Sequence, residues 1–281
     1  MQGPINKHQL VAKIIEWLEE DMPYGDITSQ NIVFHDHKVQ ASFIAKEDGV
    51  ICGIEVMKLV FQTIDSTIVF ETFANDGDLV EPGFIIGTLN GPLDKILMGE
   101  RLALNLCQRL SGIATMSHHY AQAVKAFPVR VVDTRKTTPG LRLLEKYAVR
   151  IGGCYNHRYG LSDAVMIKDN HIAGAGSIKN AVAQVRLRVP HTTKIEIEVE
   201  SLEGLKEALR LGVDIVMLDN MTNDMLRAAV EINQGRAQLE ASGNMTLDRI
   251  VDVAKTGVNI ISVGALTHSV HALDISLKFL I

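Results

Sequence analysis

From about residue 129 onward, short apolar runs alternate with longer stretches of helical period. The strand-like runs are VRVVDT (129–134), DAVMIK (163–168), KIEIEV (194–199), DIVMLD (214–219), AQLEASG (237–243) and NIISVGA (259–265). Between them lie PGLRLLEKYAVRI, SIKNAVAQVRLRV, SLEGLKEALRLG, TNDMLRAAVEIN and TLDRIVDVAKTG, patterned as helices. Several of these helices start at Ser or Thr with an acid in the first turn, an N-cap pattern, and Gly212 and Gly257 stand where helices should stop. Repeated strand–helix units predict parallel strands with right-handed crossovers. Six strands are too few for a standard eight-stranded barrel, and a doubly wound sheet is also possible.

The first hundred residues follow another pattern. A charged amphipathic helix opens the chain, GDIT follows, and KVQASFIAKEDGVICG alternates as a strand. IEVMKLVFQTI has helical period, and residues 66–92 are punctuated by Asn-Asp-Gly, Pro-Gly and Asn-Gly, which predicts short antiparallel strands. Residues 94–126 are long helical material, with Gly112 as a candidate break. The expected division is an N-terminal domain over 1–110 and a catalytic domain over 111–281, with a last helix packing back on the first domain.

The barrel reading gains weight from the strand tips. Chemically loaded residues stand at nearly every C-terminal end: Arg135 and Lys136; Lys168, Asn170 and His171; Glu198 and Glu200; Asp219 and Asn220; Ser242 and Gly243; Gly264. Barrel enzymes build their sites by such convergence. The last two tips, EASGN and SVGALTHS, offer small residues before helix N-termini; this suits a phosphate, although Ser-Gly at such a junction is also ordinary turn chemistry. Arg135, Lys136, His157, Arg158 and Lys168 gather cations on one rim, where they would repel one another unless an anion joined them. Glu198 and Asp219 could pair with the lysines, bind sugar hydroxyls or help to hold a divalent ion. A Schiff base at Lys136 or Lys168, as in an aldolase, stays open. EVMKLV resembles the Met-Lys core of a biotin site, but Lys58 falls in a helical run.

Composition narrows the partners. With 281 residues, 47% of them hydrophobic, the chain can build one large or two modest domains. The formal charge of −5 and the lack of a basic stripe argue against nucleic acid. Cys52, Cys107 and Cys154 are far apart, with no CxxC, so neither a disulfide framework nor a structural zinc site is expected. The N-terminus has no signal-peptide core and no window is apolar enough to span a membrane, so a cytoplasmic protein is expected.

GDIT, ERLALN, QRLSGIAT, DTRKTTPGLR, HRYGLSD, MIKDNHI, EIEVE, VMLDN, LEASGN and ISVGALTHS occur in the order and spacing of the quinolinate phosphoribosyltransferases. The chain resembles this family over nearly its whole length. The resemblance implies an α/β fold: an N-terminal α/β sandwich followed by an incomplete, six- or seven-stranded α/β barrel of the type II phosphoribosyltransferase kind. It implies transfer of phosphoribose from phosphoribosyl pyrophosphate to quinolinate with loss of CO₂ and pyrophosphate, giving nicotinate mononucleotide for NAD biosynthesis, with Mg²⁺ as cofactor. Homodimers with shared active sites are implied as well. By motif, Arg135, His157, Arg158 and Lys168, with Thr134, would bind the quinolinate carboxylates, and Arg101 would reach them from the partner subunit. Lys136, Glu198 and Asp219, with Asn170 and His171, would face phosphoribosyl pyrophosphate, Glu198 and Asp219 also serving its metal. Lys136, Lys168, Glu198 and Asp219 would be the catalytic set. Ser242, Gly243 and Gly264 would hold the 5′-phosphate, with Asn244 and His268 nearby, and Val263 and Ala265 would also contact phosphoribosyl pyrophosphate. Relatives often carry Gly where Asn244 stands, and also where Cys154 stands; Cys154 is read as a packing variant. Alternatives are a pyrophosphorylase-like protein linked to molybdenum transport and a non-catalytic module that binds phosphoribosyl pyrophosphate.

Overall fold

A computed structural model describes residues 6–32 and 37–280. The opening helix, α1, runs Lys7–Asp21 and buries Leu10, Ile14 and Leu18, which share one face at a spacing of four; the first five residues of the expected helix lie outside the described residues. Next come α2 (Ile27–Asn31), β1 (Lys38–Ala45), β2 (Gly49–Val50), α3 (Ile54–Ile64), β3 (Val69–Thr72), β4 (Leu79–Val80), β5 (Ile85–Pro92) and α4 (Leu93–Val124). The alternating region contributes β6 (Arg130–Val132), α5 (Arg142–Ile151), β7 (Val165–Ile167), α6 (Asp169–Ala175), α7 (Ile178–Arg188), β8 (Ile195–Val199), α8 (Leu202–Arg210), β9 (Ile215–Asp219), α9 (Asn223–Asn233), β10 (Gln238–Ser242), α10 (Leu247–Ala254), β11 (Ile260–Ser262), α11 (Ala265–His268) and β12 (Ile275–Leu280).

Two compact units divide these elements. One contains the residues up to His118, Leu143–Gly152 and the residues from Val270; the other contains His119–Arg142 and Gly153–Ser269. The first is built on an antiparallel sheet ordered β12-β1-β5-β3. Its core includes Phe43 of β1, Phe61 of α3 and Phe70 of β3, with ring centroids 5.6–6.4 Å apart, in the range of favourable tilted aromatic pairs. Asp76, from the Asn-Asp-Gly turn, accepts from the amides of Gly53 and Ile54 and so caps α3. Lys58 lies within that helix, away from any hairpin tip.

Three expectations need correction. The last element is the strand β12, not a helix; it pairs antiparallel with β1 from Gln40↔Leu280 to Ala45↔Ile275. Its alternation (Ile275, Leu277 and Phe279 against Ser276 and Lys278) has period two. Gly112 does not break α4, which is continuous. A Cβ there would lie 2.0 Å from the carbonyl oxygen of His271, so the glycine is required by close backbone approach. Finally, α5 follows the first barrel strand in sequence yet belongs to the first unit. Glu145 and Lys146 are fully buried there, Arg109 grips Glu145 at 2.6 and 2.8 Å, and Tyr147 donates to Asp76 at 2.7 Å.

In the second unit six parallel strands are ordered β6-β11-β10-β9-β8-β7. This is the cyclic order of a barrel, with one seam, between β6 and β7, left without a ladder. The segment after α5 fills part of it: Tyr155 forms a parallel bridge to Val132, donating to Val131 O and accepting from the Asp133 amide. The barrel therefore has six strands and a fragment of a seventh. Ser177, Ser201 and Thr222 cap α7, α8 and α9 through their hydroxyls, whereas Thr246 precedes α10 without such a bond. Gly212 and Gly257 follow α8 and α10 at φ 66° and 91°, the left-handed values expected of helix stops.

Gly112→Ala tests the close approach. Alanine gains about 1 kcal/mol of helix propensity, but overpacking against a fixed carbonyl costs roughly 1–3 kcal/mol. Thermal unfolding should show a lower Tm; an unchanged or higher one would mean that the His271 segment simply gives way.

Candidate active site

The site residues of the second unit gather at the C-terminal strand ends because the pleat alternates. Along β8, Ile195, Ile197 and Val199 are buried on one face, while Glu196 and Glu198 share the other. Registers Glu198↔Met217 and Ser242↔Asp219 place Glu198, Asp219 and Ser242 on three adjacent strands. Lys168, just past β7, reaches Glu198 at 2.5 Å. Asp219 accepts from the side chain of Asn220 at 2.7 Å. These carboxylates are thus partly paired, one with a lysine, as one of the sequence alternatives allowed. His171 accepts from the Lys168 amide through Nδ1 at 3.0 Å and tightens the start of α6; Asn170 stands exposed beside it.

After β6 the chain turns sharply. The Thr134 hydroxyl accepts from the Lys136 amide, and the Thr137 amide donates to Arg135 O. Arg142 ties this loop down, donating to Thr137 Oγ1 at 2.9 Å and to Tyr159 O at 3.1 Å. Arg135 and Lys136 remain exposed at the turn. Arg158 is held by Ala164 O at 2.9 Å and by the Met166 sulfur at 3.6 Å. Burial, and then the neighbouring charge of Arg135, lower its pKa. Two guanidinium groups close enough to repel mark a place where an anion is stabilising.

The glycine-bearing tips are close-packed. Gly243 has φ 93°, and a Cβ there would lie 2.1 Å from Asn220 Oδ1. Asn244 follows at φ 47°. Asparagine is among the few residues that tolerate this left-handed region, so the turn keeps the backbone path that glycine allows. Gly264 lies against both Lys136 and His268, whose side-chain atoms would be 3.2 and 3.1 Å from an added Cβ. The Thr267 hydroxyl donates to Lys136 O at 2.8 Å. Val263 is buried and Ala265 half-buried beside them. The tips of β6 and β11 therefore bring Lys136, Gly264 and His268 together. Arg101 lies exposed on α4 in the first unit.

Sequence reasoning missed four residues. Asp133 is fully buried and accepts from the His157 amide at 2.9 Å and from Asn156 Nδ2 at 2.7 Å. Arg249 donates to Gly243 O and Met221 O, both at 2.9 Å, joining the loops after β10 and β9. Glu196 and Glu240 are 3% and 1% exposed, and each has an oxygen near His157 Nε2, at 3.3 and 3.4 Å. Their signal was available: each precedes a tip residue, Glu198 or Ser242, by two and so shares its inward face.

His157 has partners at both ring nitrogens, since the Arg158 amide donates to Nδ1 at 2.7 Å. Burial opposes the charged ring, but hydrogen bonds and charge from Glu196 and Glu240 outweigh it and shift the pKa upward. The acids favour a second ring proton and the Arg158 amide at Nδ1 disfavours it; the short amide contact decides the first proton, which sits on Nε2. Donor atoms of His157, Glu196 and Glu240 lie within 4.8 Å of one another, close enough to hold a metal ion. Cys154 is buried, and burial followed by the charge of Asp133 pushes its pKa up to about 12, so it is a packing thiol and not a nucleophile.

Both halves of the chain match known proteins. The family model described as quinolinate phosphoribosyl transferase, N-terminal domain, matches residues 26–111, and that for the C-terminal domain matches residues 113–278. The chain is 44% identical over 273 residues to a probable nicotinate-nucleotide pyrophosphorylase [carboxylating] of Bacillus subtilis, covering 97% of this chain and 94% of the relative. It is 47% identical over 266 residues to a protein of the same name from Synechocystis sp., covering 94% and 90%. The solved nicotinate-nucleotide pyrophosphorylase from Francisella tularensis superposes with a TM-score of 0.94 at 39% identity, over 99% of this chain and 98% of that one. Family models matching both halves of the chain, on an α/β fold shared with solved relatives, define a phosphoribosyl transferase. The chain belongs to the quinolinate phosphoribosyltransferase family, the carboxylating nicotinate-nucleotide pyrophosphorylases.

Asp133→Ala should remove the carboxylate that the part-buried His157 amide and Asn156 side chain donate to, and destabilise the fold by about 1–3 kcal/mol. Chemical denaturation checks this; a change under 0.5 kcal/mol would mean that other acceptors or water replace the carboxylate.

Proposed function

We propose that this chain carries out its family's reaction at the strand tips of the second unit: quinolinate and phosphoribosyl pyrophosphate give nicotinate mononucleotide, pyrophosphate and CO₂, in NAD biosynthesis. The observation that carries the reading is the pairing of Arg135 with Arg158 beside a tip where Lys136 meets Gly264 and His268. In this reading the two guanidinium groups receive a dicarboxylate and the Lys136–Gly264–His268 cluster a phosphate, the two joined at a single turn.

In this reading Arg135, Arg158 and Lys168, with Thr134, bind the quinolinate carboxylates, and His157, whose ring nitrogens both have partners in the fold, serves the pocket by holding the Arg158 amide. A guanidinium fork suits a planar carboxylate because it makes two bonds at once. Arg101 reaches the same ligand from a partner subunit in a homodimer. Ser242, Gly243 and Gly264, with Asn244 and His268 nearby and Val263 and Ala265 beside them, hold the 5′-phosphate through the backbone amides of the loops after β10 and β11. Lys136 faces the pyrophosphate, with Asn170 and His171 at the rim. Glu198 and Asp219 are hard oxygen donors on adjacent tips and suit Mg²⁺, which keeps waters and substrate phosphates around one or two carboxylates. The ion would neutralise the leaving pyrophosphate.

The chemistry requires positioning more than a covalent nucleophile. Departure of pyrophosphate leaves oxocarbenium character on the ribose, which Glu198 and Asp219 stabilise by charge while Lys136 stabilises the leaving group. After glycosylation the cationic ring nitrogen makes loss of the 2-carboxylate as CO₂ favourable through an ylide-like carbanion, which takes a proton from solvent at C2 to give nicotinate mononucleotide. Among the described residues no helix is long and apolar enough to cross a membrane, which is compatible with a cytoplasmic location.

Purified protein with quinolinate, phosphoribosyl pyrophosphate and Mg²⁺ should form nicotinate mononucleotide and CO₂; absence of both products would refute the reading. Chelation of divalent ions should abolish turnover, and added Mg²⁺ should restore it. Arg135→Ala should weaken quinolinate binding by about 1.5–3 kcal/mol, the scale of a hydrogen bond to a charged group, as read by titration calorimetry. Mixing inactive Arg101→Ala and Lys136→Ala proteins should restore part of the activity if sites are shared between subunits; a mixture that stays inactive would argue for sites within one chain.

A further inference from the structure

Glu196 and Glu240 have no role in the reaction as described, yet they are among the most buried charged groups of the second unit. Burying a carboxylate is costly unless a partner compensates it, and two neighbouring carboxylates compound the cost. Glu196 feels this directly: burial raises its pKa, and of the further effects His157 lowers it while the charge of Glu240 raises it. Glu240 Oε1 is buried without a hydrogen-bond partner among the described residues. A pair kept in such a place beneath an anion site needs a reason.

The geometry around His157 supplies one. Its Nε2 stands 3.3 Å from Glu196 and 3.4 Å from Glu240. Both distances exceed the roughly 2.7–2.9 Å of a charge-assisted N–H···O bond. Nε2 thus faces both oxygens of Glu196, the second at 3.4 Å, and one of Glu240, and the ring is held between the two acids without a short bond to either. Its other nitrogen accepts from the Arg158 amide. One imidazole thus links β8 and β10, deep in the barrel, to the backbone of the residue whose guanidinium is anchored at Ala164 O and the Met166 sulfur. It does so in the strap that fills the seam between β6 and β7, where ladder bonds are missing.

We propose that Glu196 and Glu240 are positioning residues for the quinolinate pocket: the two carboxylates hold the His157 ring between them, and the ring fixes the His157–Arg158 corner across the open seam. This deepens the functional reading above and rests on its assignment of Arg158 to quinolinate. Loss of either acid lets Nε2 close on the remaining one, which displaces the ring and, through Nδ1, the Arg158 amide. Phosphoribosyl pyrophosphate, held in this reading by Lys136, by the tip residues beyond the two acids and by the loops after β10 and β11, does not depend on the Arg158 amide and is unaffected.

The test is steady-state kinetics of E196Q, E240Q, H157A and the doubles H157A/E196Q and H157A/E240Q, each checked for a wild-type-like thermal transition. Each Glu→Gln change should raise KM for quinolinate about ten- to a hundredfold, the scale expected for misplacing a binding group by a fraction of an ångström to one ångström, while KM for phosphoribosyl pyrophosphate stays within twofold. In the His157→Ala background the Glu→Gln changes should add nothing further, because they act through the ring. Additive effects, or equal rises in both KM values, would overturn the proposal. If E240Q does not fold, E196Q carries the same test. Elemental analysis of the wild-type protein is a further arm: a stoichiometric transition metal that is lost in E240Q would overturn the proposal, since the three residues would then be metal ligands. Arg135→Ala run alongside separates the two readings. No change in its quinolinate KM removes the pocket assignment, whereas a rise there with none in E196Q or E240Q removes only the proposal.

Discussion

A single buried carboxylate holds the weak seam of the barrel. Between β6 and β7 no ladder closes the sheet, and the chain compensates with a strap whose two-residue bridge at Tyr155 could not define a geometry alone. Asp133, at the tip of β6, accepts from the His157 amide and from Asn156, and Tyr159 in turn donates to Asn156 Oδ1 at 2.9 Å. Removed from water, such bonds act at low effective dielectric and leave little freedom to rearrange. Arg158, in the cationic wall, depends on that anchoring, because it sits on the strap and not at the tip of a strand.

The opposite rim is rigid for a different reason. Gly243 is packed against Asn220 so closely that no side chain fits, and Arg249 bonds carbonyl oxygens of both loops. Backbone amides there are set by the fold before any ligand arrives. Preorganised donors stabilise developing charge without a reorganisation cost at the moment of reaction. One wall is thus made of side chains locked by hydrogen bonds, the other of main chain locked by packing.

How much of this the sequence disclosed follows from its periodicities. All six barrel strands were legible because apolar runs of strand length recur between helical stretches, and the tips followed from where each run ends. The deeper charges, Glu196 and Glu240, were passed over because they lie inside runs read as hydrophobic; barrel strands can carry polar residues on the inner face at period two, and that face was searched only at its last position. Asp133 was obscured by the cations beside it. The integrity of α4 at Gly112 depends on His271, about 160 positions away, and the strand character of residues 275–280 depends on β1, more than 230 positions away. Neither partner is visible to local pattern.

That long-range pairing bears on how the molecule is made. β1 emerges early in synthesis with one neighbour, β5, close behind it, but its other edge is covered only by β12. Until then the first sheet has an unpaired edge, the feature most prone to join a foreign strand. Contacts of such sequence separation also form slowly. The second unit lies wholly between the two pairing strands in sequence and can complete its own ladders first. The sheet nearest the start of the chain is therefore the last to be finished, and a nascent chain stalled short of residue 275 would carry an assembled barrel beside an open sheet edge.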